Sequence, residues 1–206
     1  AGELEARDGD DAVAEPMLGQ SIALFEVEGD DRSAATALRF LGMIAARRGD
    51  LDAARKHWER GLEIAERGGD PAVLAIASNT MGILSALLGD YDAALDHYHR
   101  AVEMFGREGD ELNQTLGLNN IGYTALVAGQ LDRAAQVLGG TLAMARERGF
   151  RAAELDALVF LAMVEWRRGD RAATKSYAAE AVPLGIDLGL ERRIVWAVEV
   201  AAFACA

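Results

Sequence analysis

The sequence predicts an all-α fold, a stack of about ten helices arranged in antiparallel pairs. Glycine recurs at an unbroken spacing of 20 residues from Gly9 to Gly189, and aspartate follows it at most of these sites. The segments between carry apolar residues at three- and four-residue spacing, without strand-like alternation. Glycine accepts the left-handed conformation that ends a helix, and aspartate accepts the free amide hydrogens that begin the next. Each Gly-Asp pair therefore predicts a helix end joined directly to a helix start.

The junctions define the elements in order. They predict helices near 14–28, 31–48, 51–67, 71–88, 91–107, 111–128, 131–148, 151–168, 171–188 and 191–206. Short connections make successive helices antiparallel. Because the residue pattern of one helix recurs in the next helix but one, the repeat is 40 residues long. We expect one solenoid over 1–206, with a partial repeat at 1–30, full repeats at 31–70, 71–110, 111–150 and 151–190, and a partial repeat at 191–206. Pro16 suits the first turn of its helix, whereas Pro183 predicts a kink or an early end.

Small and large residues alternate within each pair of helices. The first helix carries a small residue seven positions before its closing glycine, at Gly42, Gly82, Gly122 and Ala162. The second helix carries a large residue at Trp58, Tyr98 or Leu138. Small residues let two helix axes approach closely, and we expect the large ones to fill the space between neighbouring pairs.

Composition excludes several classes of partner. With 33 acidic and 21 basic side chains, the formal net charge of −12 repels a nucleic acid or an anionic membrane. The single Cys205 forms no internal disulfide, and no apolar run approaches the roughly 18 to 20 residues of a membrane span. We therefore expect a cytoplasmic protein without direct nucleic-acid or membrane contacts. Ala1 in place of a methionine, and an end inside an apolar helical pattern, indicate a piece of a longer protein.

Two segments, 41–54 (LGMIAARRGDLDAA) and 79–95 (NTMGILSALLGDYDAAL), resemble tetratricopeptide (TPR) repeats. The resemblance covers essentially residues 14–206. It implies a right-handed superhelical solenoid in which the first helix of each pair lines a concave surface. HEAT and armadillo repeats share the 40-residue length, but the small residues and the Gly-Asp-x-x-x-Ala pattern favour TPR.

The sequence of the repeats also resembles that of a narrower group of TPR proteins. Residues 21–30 (SIALFEVEGD) are similar to the C-terminal sensor regions of bacterial LuxR-type, maltose-activator-type and antibiotic-regulator proteins built on a signal-transduction ATPase. In that family the TPR part receives a signal or partner, while separate domains bind nucleotide and DNA. The resemblance thus implies the sensing or coupling module of a larger transcriptional regulator.

The concave surface that the resemblance implies is unusually apolar, and such patches commonly bind partners. The candidate partner-binding residues are Arg39, Met43, Asn79, Ile83, Asn119, Tyr123, Met163, Trp166 and Arg167. The two asparagines occupy equivalent positions, where they either grip a peptide backbone or bond neighbouring helices. Together with Arg47, the two arginines either neutralise a ligand's carboxylate or phosphate or pair with surface acids. Tyr123 and Trp166 are candidate aromatic anchors for a partner. The alternative for Trp166 is that it packs against the next pair of helices.

The residues that enzymes use are not arranged for catalysis. His57, His97 and His99 fall in second helices, and His97 and His99 point about 200° apart on their helix. We expect no enzyme, no metal and no cofactor, and a structural role for Cys205. The leading hypothesis is a scaffold that binds a protein or peptide segment in the concave groove. The alternatives are a sensor of a sugar or other metabolite, and self-association through terminal helices, since Ile194, Val195, Val198 and Phe203 lack a polar outer face.

Overall fold

A computed structural model of the chain describes residues 11–190 and Val195. Within those residues every regular element is an α-helix. The helices are α1 (Asp11–Glu28), α2 (Asp31–Arg47), α3 (Leu51–Gly68), α4 (Pro71–Leu87), α5 (Tyr91–Glu108), α6 (Glu111–Val127), α7 (Leu131–Arg148), α8 (Arg151–Arg168) and α9 (Arg171–Leu188). The predicted all-α stack of helix pairs is confirmed for this part of the chain.

The junctions have the predicted geometry. Gly69 and Gly149 take φ of 67° and 72°, the left-handed region that a residue with a Cβ rarely adopts. The Asp50 carboxylate accepts the amide hydrogen of Ala53 at 2.9 Å, and Asp30, Asp70, Asp110 and Asp170 cap their helices in the same way. Helices α7 and α8 begin without a side-chain cap, because Gln130 and Phe150 replace the aspartate there.

The predicted helix bounds agree with the observed ones to within one residue from α2 to α9. Helix α1 begins three residues earlier than predicted, so Pro16 lies inside the helix and not in its first turn. The early end predicted at Pro183 is wrong, because α9 continues to Leu188. The predicted helix and partial repeat at 191–206, with Cys205, lie outside the described residues except for Val195.

Within each pair the large residue packs directly on the small one. A Cβ added to Gly42 would lie 2.2 Å from Trp58 Nε1, and one added to Gly82 would lie 2.5 Å from Tyr98 Cε1. Trp58 also belongs to a buried cluster with Leu84 of the following pair. The large residues therefore fill space inside the pair, where only glycine leaves room, and Trp58 also reaches the next pair as predicted.

Ion pairs join the start of one helix to the end of its neighbour. Arg67 at the end of α3 contacts Asp31 at the start of α2 at 2.8 Å, and Arg47 of α2 contacts Asp11 of α1 at 2.6 Å. Contacts of this kind require antiparallel neighbours. Because the pairs lie at the surface, where water and salt screen them, each contributes little to stability.

The chain divides into two compact units, Ala1–Glu108 and Gly109–Ala206. The core of the first unit includes a cluster of α1 to α4 residues around Leu38 and Ile64. The core of the second forms around Leu138, Leu155 and Leu158, from α6 to α9. Each unit therefore has its own buried apolar centre, and its surfaces are described separately below.

Candidate functional site

In the first unit the candidate residues lie on α2 and α4, the first helices of their pairs. Arg39, Met43, Asn79 and Ile83 are all partly buried. The Arg39 guanidinium stacks over the Phe40 ring at 4.3 Å and approaches Met43 Sδ to 3.6 Å. The Arg39 cation therefore lies on an aromatic ring and a thioether, which suits a partly desolvated charge.

A cleft of about 110 Å³ opens between α2, α3 and α4. The Arg39 backbone carbonyl at its edge accepts the Trp58 indole hydrogen at 3.0 Å, which ties α2 to α3 at this level. Arg32 also lines the cleft and forms an ion pair with Asp70 at 2.8 Å. The hydrogen bond from Arg32 is the main reason that the pKa of the Asp70 carboxyl lies below its usual range. Two guanidinium groups thus lie at one small cleft.

In the second unit, aromatic side chains gather on α6 and α8. The Tyr123 and Phe160 rings lie 4.8 Å apart between centroids, tilted by 36°. Tyr123 is 36% exposed and Trp166 is 46% exposed, while Met163 is partly buried. We call Tyr123, Val127, Phe160, Met163 and Trp166 the aromatic face. Of these residues on the first helices α6 and α8, Tyr123, Val127 and Trp166 are exposed, and Phe160 and Met163 are partly buried.

Asn119 has a structural bond. It is 2% exposed, and its Nδ2 donates to the Ala153 carbonyl at 2.9 Å, which joins α6 to α8. Its Oδ1 has no partner within the described residues. This burial conflicts with the hypothesis that the Asn119 amide binds a peptide. It agrees with the alternative, a hydrogen bond between neighbouring helices. Asn79 belongs to the other unit and is partly buried.

The predicted arginines differ in the groups that they contact. Arg167 is exposed and its Nη1 donates to the Leu126 carbonyl at 2.9 Å, so it lies beside the aromatic face and links α8 to α6. Arg47 pairs with Asp11, as the surface-pairing alternative describes. Of the predicted arginines, Arg39 and Arg167 therefore remain placed beside apolar surfaces.

Among the described residues no group of three His, Cys, Asp or Glu side chains is placed to hold a metal ion. Burial lowers the pKa of His57, and the nearby Glu15 carboxylate partly opposes that effect. Within 11–190 and at 195 no helix is long and apolar enough to cross a membrane.

The outer side of α1 presents a row of apolar side chains. Val13, Met17, Leu24 and Val27 are exposed, with Val27 at 87%, and their spacing places them on one stripe of the helix. Val195 is exposed as well, while Ile194, Val198, Phe203 and Trp196 lie outside the described residues. The apolar surface predicted at the C-terminal end therefore lies outside the described residues apart from Val195, and α1 carries a different exposed apolar stripe.

Phe160 and the cleft were not predicted from the sequence. Phe160 belongs to the aromatic face because its ring contacts that of Tyr123. The cleft has a signal in the repeats: Ala35, Gly61 and Thr80 are smaller than the residues 80 positions later, Thr115, Thr141 and Phe160.

Comparisons with known proteins agree with this geometry. A model of the tetratricopeptide repeat family matches residues 1–67 and 32–107. No curated protein sequence matches the chain. Among solved structures, a Signal Transduction ATPase with Numerous Domains (STAND) protein with a tetratricopeptide repeat sensor, from Pyrococcus horikoshii, aligns at a TM-score of 0.80 and 17% identity. The alignment covers 98% of this chain and 31% of that one, so the chain spans about a third of the STAND protein.

Two further structures extend the likeness. BtubC from P. vanneervenii aligns at a TM-score of 0.72 and 20% identity, over 91% of this chain and 78% of that one. A Rap protein complexed with competence and sporulation factor aligns at a TM-score of 0.63 and 14% identity, over 91% of this chain and 57% of that one. At these identities the structures show the fold alone. Because the family model matches half of its length, the chain belongs to the tetratricopeptide repeat family.

Proposed function

We propose that the chain is a scaffold that binds a protein or peptide segment, and that it acts in the cytoplasm as the sensing or coupling module of a larger transcriptional regulator. The aromatic face of the second unit carries the proposal. Tyr123, Val127 and Trp166 expose large apolar surface on two adjacent first helices. Aromatic residues dominate the energetics of protein interfaces, and surfaces of this kind mark binding sites.

The face has the parts that a peptide site needs. The Tyr123 and Phe160 pair holds two rings in a fixed tilt, so little side-chain entropy is lost when a partner covers them. Arg167 lies at the edge, where it can meet a carboxylate of the partner. The expected ligand is therefore a segment with apolar side chains flanked by an acidic residue.

The comparisons support the regulatory part of the proposal. The STAND protein carries its tetratricopeptide repeats as a sensor, and the Rap protein was solved with competence and sporulation factor bound. We extend a sensing role to this chain by analogy of fold. The peptide ligand and the larger regulator are our inference.

Site-directed photo-crosslinking in cells of the source organism tests the proposal. A photoreactive phenylalanine derivative replaces Tyr123 or Trp166, and in the control it replaces Gln136, an exposed residue of the second helix α7. We expect one and the same protein to crosslink from both positions of the aromatic face and not from the control. Trp166→Ala should weaken binding of that protein by about 30-fold, the effect of a residue that contributes about 2 kcal/mol. Equal crosslinking from Gln136, or none from the face, would refute the proposal.

A further inference from the structure

Helix α1 carries a row of exposed, uncharged residues on its outer side, which we call the α1 stripe. Its members recur at alternating spacings of four and three residues: Val13, Met17, Gln20, Leu24 and Val27. At 100° per residue they fall within about 80° of the helix circumference. Such alternating spacing is typical of a helix that packs along one partner helix. We propose that the α1 stripe binds the α1 stripe of a second copy of the chain, in antiparallel orientation and across a two-fold axis at Gln20.

The packing of the repeats does not account for this stripe. Gln20 and Val27 have counterparts at 40-residue intervals in the second helices α3, α5, α7 and α9, and all of these counterparts are exposed. Those of Val27 are all charged, Arg67, Arg107, Glu147 and Asp187. Three of the four counterparts of Gln20 are charged as well, Arg60, Arg100 and Glu180. These positions stay exposed in helices that have their own first helix beside them. An apolar side chain at Val27 and an uncharged one at Gln20 therefore indicate a contact outside the repeat packing.

The charges of α1 are directed away from the stripe. Three of its four acids, Asp11, Glu15 and Glu26, lie at least about 140° from the middle of the stripe. Each of them forms an ion pair with an arginine of α2 or α3, in the order Arg47, Arg48 and Arg60. A chain with a net charge of −12 repels its own copy, so a contact between two copies needs a surface without free carboxylates. The α1 stripe is such a surface.

The residues beside the stripe let two helices approach. Pro16 and Ala23 lie on one side and Ser21 lies on the other, and all three side chains are short. The Ser21 hydroxyl donates to the Met17 carbonyl at 2.8 Å, so it brings no unpaired donor into the contact. Without long side chains at these places, two helix axes can lie at the separation of about 8 to 10 Å that packed helices have.

The order of the residues determines the direction of the pair. Val13 lies seven residues before Gln20 and Val27 lies seven residues after it, so antiparallel helices that cross at Gln20 place Val13 against Val27 of the second copy. The two Gln20 side chains then face each other, and an amide carries both the donor and the acceptor that such a pair needs. Glu28, the remaining acid of α1, comes to the N-terminal end of the other α1, where the helix dipole favours a negative charge. Parallel helices would instead bring the two Glu28 carboxylates together.

The area of the stripe sets the strength of the dimer. Its four apolar side chains are each more than half exposed and present a patch on the order of 400 Å². A standard interface buries about 800 Å² per partner, roughly twice as much. The dimer is therefore weak, with a dissociation constant between about 10 µM and about 1 mM. The contact is isologous, so it closes at two copies.

Two charge variants test the contact and its direction. Val13→Lys and Val27→Glu each place a charge against an apolar side chain in a dimer of identical chains, so each alone should weaken dimerisation by about tenfold or more. In an equimolar mixture the two introduced charges face each other at one end of the contact and two valines meet at the other. The mixture should therefore dimerise again. Sedimentation equilibrium of the complete chain from about 10 µM to about 1 mM measures both effects.

The controls and the contrary outcomes are as follows. Leu112→Lys changes an exposed leucine of α6 and should leave the dimer unchanged. Because Val13 and Val27 are exposed, neither variant should alter the helical circular-dichroism signal. A chain that stays monomeric up to about 1 mM, or a dimer that both single variants leave intact, would overturn the proposal. Single variants that dissociate without recovery in the mixture would overturn the antiparallel arrangement.

Crosslinking at the two-fold axis gives an independent check. In a Cys205→Ser chain, which has no other cysteine, Gln20→Cys places two thiols face to face, and mild oxidation should join the copies into covalent dimers. Gly140→Cys introduces a thiol at the counterpart of Gln20 in α7, where an added Cβ has nothing within 4 Å. This exposed control should crosslink only by random collision. Equal crosslinking of the two variants would contradict a contact at Gln20.

The dimer and the proposed function fail by separate experiments. The dimer contact uses α1 of the first unit, whereas photo-crosslinking of the partner uses Tyr123 and Trp166 of the second unit. Loss of the dimer in Val13→Lys therefore leaves the aromatic face unchanged.

Discussion

Replacing Gly42 with alanine tests how the helix pairs are held together. The added Cβ would lie 2.2 Å from Trp58 Nε1 and 2.4 Å from Trp58 Cδ1, so the indole must move. Trp58 is 2% exposed, and its Nε1 donates to the Arg39 carbonyl at 3.0 Å. Overpacking costs about 1 to 3 kcal/mol and a lost hydrogen bond about 1 kcal/mol, while alanine gains about 1 kcal/mol over glycine in a helix. We expect Gly42→Ala to lower the free energy of unfolding by about 1 to 3 kcal/mol.

The assay is urea denaturation followed by far-ultraviolet circular dichroism, with Gly140→Ala as the control. Gly140 is a helical glycine with nothing within 4 Å, so its replacement should raise the free energy of unfolding by up to about 1 kcal/mol. A double-mutant cycle completes the test. Trp58→Ala alone should cost about 3 to 5 kcal/mol, and in its background Gly42→Ala should become neutral or stabilising. The reasoning is refuted if Gly42→Ala costs the same with and without the indole.

Three further predictions follow from particular contacts. Asn119→Ala should lower the free energy of unfolding by about 1 to 2 kcal/mol, because its buried bond to α8 is lost; an unchanged thermal melting curve would contradict this. Asp70→Asn should flatten the acid limb of a stability–pH profile. The folded pKa of Asp70 is depressed by Arg32, so the stabilisation is present above the unfolded pKa and is lost as the pH falls through the folded one; identical acid limbs would show the pair is not formed. If α1 mediates self-association, light scattering should detect a dimer at high concentration. Leu24→Glu with Val27→Glu should then abolish the dimer, and a dimer that persists would exclude α1.

The secondary structure could be predicted almost completely because its signals are local. A helix here ends at a glycine in the left-handed conformation and starts at the next residue, so both limits depend on neighbours in sequence. Where the aspartate is replaced, at Gln130 and Phe150, the glycine alone still marks the boundary. At Pro183 the early end did not occur, because a helix packed into a pair can keep a proline inside it.

The candidate sites were predicted less well, since their properties depend on distant partners. Asn79 and Asn119 occupy equivalent positions in the repeat, yet Asn119 is buried and bonds Ala153, 34 residues away, whereas Asn79 is partly exposed. Trp166 is exposed whereas Trp58 is buried, although both are tryptophans on repeat helices. Whether a side chain faces a ligand or a neighbour is set by what the next helix presents at that level.

The sequence by itself determined the repeat, the helix bounds, the antiparallel order and the pairing of small with large residues, because all of these follow from periodicity and from contacts at fixed spacing. Only the tertiary structure decided which equivalent positions are filled and which are open. One position is common to the cleft beside Arg39 and the aromatic face around Tyr123: Thr80 lines the cleft, and Phe160, 80 residues later, packs on Tyr123. The cleft and the face differ because side chains from several helices, about 20 residues apart in sequence, jointly fill or leave space.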